Sequence, residues 1–66
     1  MADRRAHLLA THLRHALEDE FAAAEQDGPF RGWSTEWPDS ELEPDNFGVV
    51  DAAGDLVYEV RLISWQ

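Results

Sequence analysis

The spacing of apolar residues changes at Gly28 and Pro29. Before these two residues the apolar positions recur at helical intervals, and after them they alternate. Residues 3 to 27 fit one amphipathic helix, with Asp3 as its N-cap and Gly28 followed by Pro29 as its stop. At about 100° per residue, Ala6, Leu9, Leu13, Ala16, Leu17, Phe21 and Ala24 fall on one broad stripe, with His7, Arg14, Glu18 and Glu25 opposite. Glu20 interrupts the stripe near its end, and Leu8 lies outside it. The helix charges oppose its own dipole: Arg4 and Arg5 stand at the positive N-terminus, while Glu25 and Asp27 stand at the negative C-terminus.

Beyond the stop, "RGWSTEW" over 31–37 predicts a short strand with Arg31, Trp33, Thr35 and Trp37 on one side and Gly32, Ser34 and Glu36 on the other. Two prolines with Asp, Ser and Asn make Pro38 to Asn46 a loop. "FGVVD" and "LVYEVRLISW" flank "AAGD", which reads as a β-hairpin with Gly54 supplying a positive φ. Leu56, Tyr58, Val60 and Leu62 are expected to face the helix. Val57, Glu59, Arg61, Ile63 and Trp65 form a second face, either half covered by the 33–37 segment or exposed to a partner. The fold expected is α+β, one N-terminal helix on a two- or three-stranded antiparallel sheet ending in a C-terminal hairpin.

Length decides how much core such a fold has. A chain of 66 residues forms one domain, 1–66, and buries only about 60% of the surface exposed by its unfolded form. It has no cysteine, so neither a disulfide nor a thiolate zinc site reinforces it, and association with a partner or a second copy becomes an expectation. A hydrophobic fraction of 44% argues for a folded chain despite a net charge of −9. The first residues resemble neither a signal peptide nor a membrane span, which makes a cytoplasmic location the default expectation.

The charge is concentrated. Between residues 18 and 45 lie ten acids and one base, Arg31, and the remainder of the chain is neutral. Within "EWPDSELEPDNF", Asp39, Glu41, Glu43 and Asp45 occupy every second position after Glu36. If extended, such residues project on one side about 6.6–6.8 Å apart. Phosphates on one DNA strand advance about 3.4 Å along the axis, so a carboxylate row of this kind can occupy Arg and Lys sites built for phosphate. Pro38 and Pro44 would hold the row straight, and Trp33 and Trp37 would anchor the contact. The alternative for the acids is a solvated loop that keeps a small protein soluble, and for the aromatics a cap on the core.

Other chemistries find less support. His12, His15 and Asp19 can share a helix face, but no second segment completes a metal shell, and His7 adds none. Ser34, Ser40 and Ser64 lack the surroundings of a nucleophile, so no catalytic residue, metal or cofactor is assigned. Five arginines against fourteen acids disfavour direct binding to nucleic acid, although Arg4, Arg5 and Arg14 could form a local patch opposed by the rest of the field.

In size and in the charge layout of residues 18–45, the chain resembles the small acidic inhibitors of phages and mobile elements, including anti-CRISPR and other DNA-mimic proteins. It shares no motif with them. The resemblance implies a non-enzymatic inhibitor that blocks a nucleic-acid-binding effector with a phosphate-like surface. The candidate contact residues are Glu18, Glu25, Asp27, Trp33, Glu36, Trp37, Asp39, Glu41, Glu43 and Asp45. A second expectation is a small structural or adaptor subunit that associates through apolar surface, either with a larger protein or with itself.

Overall fold

A computed structural model describes residues 4–39 and 42–65. Its elements are α1 (Arg4–Ala22), β1 (Ser34–Glu36), β2 (Asn46–Val50) and β3 (Leu56–Arg61). The strands form an antiparallel sheet in the order β1-β2-β3, and α1 packs on one face of it. This is the expected α+β fold with its C-terminal hairpin. The predicted N-cap, Asp3, lies outside the described residues. Among the described residues no helix is long and apolar enough to cross a membrane.

Ala, Leu, Arg and Glu, all strong helix formers, fill α1. The helix nevertheless closes at Ala22, short of the predicted Asp27. No basic residue offsets the dipole in its last turn. The chain then passes through tighter turns, with Ala24 N–H donating to Phe21 O (3.2 Å), Gly28 N–H to Glu25 O (3.0 Å) and Trp33 N–H to Phe30 O (3.2 Å). Glu25 and Asp27 are therefore exposed residues of this connection and not of the helix.

The buried face of α1 also differs from expectation. Ala10 and Phe21 are buried, and His7, Arg14, Leu17 and Glu18 are half-buried, whereas Leu9 and Leu13 are 58% and 44% exposed. The helix is thus turned by roughly 80° from the orientation its leucine stripe predicts. Two causes are visible. Ala10, the smallest side chain available, lets the helix approach the aromatics carried by the strands. His7, Arg14 and Glu18, expected to face solvent, instead meet polar backbone and side-chain groups of the 34–44 region.

β1 is shorter than the predicted 31–37 strand. It pairs Thr35 with Val49, and β2 pairs Phe47 with Val60 and Val49 with Tyr58. These residues point toward the helix, where Ala10, Phe21, Phe47 and Val49 form the buried core, with Leu17, Trp33, Trp37, Val60 and Leu62 around it. A β-bulge at Val57 shifts the register so that Val50 pairs with Leu56. One extra residue inverts the side-chain alternation. Leu56, expected to face the helix, therefore lies on the outer face over Gly48, where a Cβ would collide with Leu56 Cδ1. In the turn, Gly54 has φ +88° as expected. Asp51 organises it, its Oδ1 accepting from the N–H of Ala53 and of Asp55, each at 3.0 Å.

The outer face is not covered by the 33–37 segment, whose tryptophans pack on the helix side. It carries the Glu59–Arg61 pair (2.7 Å), and beyond β3 Ile63 and Trp65 are exposed.

Candidate binding surface

The predicted contact residues do not come together. Glu18 is used inside the fold: its Oε1 accepts from Thr35 N–H (2.8 Å) and from the Thr35 hydroxyl, while Arg14 Nη1 lies 3.7 Å away and donates to the same hydroxyl (3.2 Å). These donors outweigh partial burial and hold the Glu18 carboxyl below its usual range, the Thr35 hydroxyl contributing most. Thr35 N–H donates to Glu18, so the Glu18 carboxylate occupies a donor of β1, the edge strand of the sheet.

Both tryptophans belong to the packing of the helix side. Trp37 lies 5.4 Å from the His7 ring and edge-on to Phe47 at 6.3 Å, with the Arg14 guanidinium 4.9 Å from its centroid. Trp33 meets Phe30 edge-on (5.2 Å) and stacks with Tyr58 (6.3 Å).

The carboxylate row is bent. Glu43 adopts φ +49°, the left-handed region, which ends any extended alignment of residues 39–45. Asp39 is exposed in a turn, Asp45 is half-buried with its carbonyl accepting from Leu62 N–H (3.0 Å), and Glu41 lies outside the described residues. Glu36 projects on the outer sheet face beside Gly48. Among the described residues the row is therefore not straight at Glu43. Glu43 pairs with Arg4 (3.7 Å) and Pro44 O accepts from His7 Nδ1 (2.8 Å), which puts this half of the acidic block at the start of α1. Asp19, Glu20, Glu25 and Asp27 lie at or beyond its end. From Arg4 to Asp19 the helix rises about 22 Å.

The bend at Glu43 has a measurable cost. A non-glycine residue in this region costs about 1 kcal/mol, comparable to the most that an exposed ion pair with Arg4 returns. Glu43→Gly is expected to leave stability unchanged or raise it by up to about 1 kcal/mol in urea unfolding. A loss above this size would show that the Arg4 pair governs the loop.

Sequence reasoning missed a different feature. α1 lies on β1 and β2, and the helix-facing side of β3 is left largely uncovered, with Tyr58 64% exposed. The opening is an apolar recess of about 570 Å³ bounded by Leu17, Phe21, Phe30, Trp33, Tyr58 and Val60, and edged by Glu20 and Glu59. Counting elements would have found it, because a three-stranded sheet is wider than one helix.

No family model, curated protein or solved structure matches the chain. Among the described residues no group of three or more His, Cys, Asp or Glu side chains is placed to hold a metal ion.

Proposed function

We propose that the chain is a non-enzymatic acidic module that binds a basic protein through the open side of its core. The observation that carries this reading is the recess between α1 and β3. A domain this short has little apolar surface to spare, yet Tyr58 and Phe30 stand open to solvent beside Glu20. Aromatic and aliphatic groups supply contact energy, and the surrounding negative charge steers a basic surface and repels acidic ones.

An inhibitor of a nucleic-acid-binding effector is one form of this function, and an adaptor subunit is the other. The net charge of −9 supports the first. The bend at Glu43 and the internal role of Glu18 remove the phosphate-like row from it, so inhibition would act by covering the partner's basic surface without imitating a strand. Retention of partners on the immobilised protein, beside a Tyr58→Glu variant, tests the module. Genuine partners are basic, are released by salt and are lost on the variant. Equal retention by both proteins would end this reading. Adding nucleic acid then separates the forms, since a partner that holds its nucleic acid in full while bound is joined to an adaptor.

A further inference from the structure

We propose that the recess receives an amphipathic helix of the partner, with its apolar face on β3 and a basic flank against Glu20. This names the partner segment for the binding function above and rests on that reading.

Width is the first reason. Neighbouring strands lie about 4.8 Å apart, and packed helices 8–10 Å apart. With α1 seated on β1 and β2, a second helix at ordinary packing distance falls over β3. Its floor would be Tyr58 and Val60, its side wall Leu17 and Phe21, and its end wall Phe30 and Trp33.

Backbone chemistry is the second. The recess lies on a sheet face, where the sheet's own N–H and C=O groups point sideways to neighbouring strands. A strand or irregular peptide laid there would bury backbone groups without partners, at a cost of roughly 1–3 kcal/mol for each. A helix brings its backbone already satisfied and offers only side chains.

Charge is the third. Glu20 is the carboxylate that the helix presents at the recess, because the Glu59 side chain is held by Arg61 (2.7 Å) on the outer face of the sheet. An incoming helix is therefore selected for Lys or Arg along its flank. A second copy of this chain would bring another net charge of −9 beside Glu20.

The test uses two synthetic peptides of about 18 residues with identical Leu and Arg content, one with leucines at helical spacing and one with the order permuted. Binding is measured by calorimetry and mapped by NMR. The amphipathic peptide is expected to bind at least about tenfold more tightly than its isomer and to shift Leu17, Trp33 and Tyr58 signals. Tyr58→Glu, at an exposed position of the lining, is expected to keep the urea midpoint and lose about tenfold in affinity, and Phe30→Ala provides a second probe of the same recess. Equal binding of both isomers, with shifts confined to carboxylate residues, overturns the helix while leaving charge-driven attachment in place. Failure of both peptides to bind overturns the inference and the proposed function together. Recess signals that move with protein concentration in the absence of peptide overturn the inference in favour of a second copy.

Discussion

Phe47→Ala is expected to unfold the domain at room temperature. Phe47 is 1% exposed and is the largest side chain that the described core encloses completely, meeting Trp37 edge-on. Removing a buried phenyl group costs about 3–5 kcal/mol through lost transfer energy and the cavity left behind. A chain of this length has about 3–10 kcal/mol in total, at 0.05–0.15 per residue. With four residues in the buried apolar cluster, little else can close over the gap. Loss of the cooperative urea transition, followed by tryptophan fluorescence, is the expected result. A variant that keeps its transition midpoint would mean that the core lies elsewhere.

Glu18→Ala is expected to cost about 1.5–3 kcal/mol, near the lower figure because the carboxylate side chain is 36% exposed and water replaces part of what is lost. The deletion leaves Thr35 N–H at the β1 edge without its acceptor and Arg14 without its nearest counter-charge. The effect depends on pH in a defined sense. The folded carboxyl titrates below its ordinary value, so its contribution is complete above the unfolded value near 4.5 and is lost as pH falls through the folded one. The difference in urea midpoint between wild type and Glu18→Ala should therefore be constant from neutral pH to about 5.5 and shrink below about 4.5. Glu18→Gln keeps an acceptor for Thr35 and should fall between the two while losing this pH dependence. A difference that stays constant to low pH would refute the assignment of Glu18 to the β1 edge.

The helix, the hairpin and the glycine of its turn were legible in the sequence, because periodicity and φ preference are local properties. The facing of the helix was not. Apolar periodicity identifies a stripe but not what covers it, and Leu9 and Leu13 look past their own sheet while His7, Arg14 and Glu18 turn toward it. Those three are recruited by distant groups, Pro44 O and Thr35, which no window along the chain connects. The bulge at Val57 likewise leaves no mark in a run of β-forming residues, yet it moves Leu56 to the opposite face. For the site, alternation of Asp39, Glu41, Glu43 and Asp45 suggested a straight row, but left-handed Glu43 shows that alternation in sequence becomes alternation in space only along an extended backbone. Sequence pattern drew attention to Leu8, Glu20 and the outer residues of β3, whereas the apolar recess opens on the inner side of that strand.

The two borders of the sheet bear on self-templated growth. On one, the Glu18 carboxylate occupies the amide of Thr35. On the other, β3 is kinked by its bulge and carries Glu59 and Arg61, features that frustrate docking of an added strand. A chain that leaves this much apolar surface open would otherwise be a candidate for fibril formation. With both borders guarded, an added strand finds no open edge on which to extend the sheet.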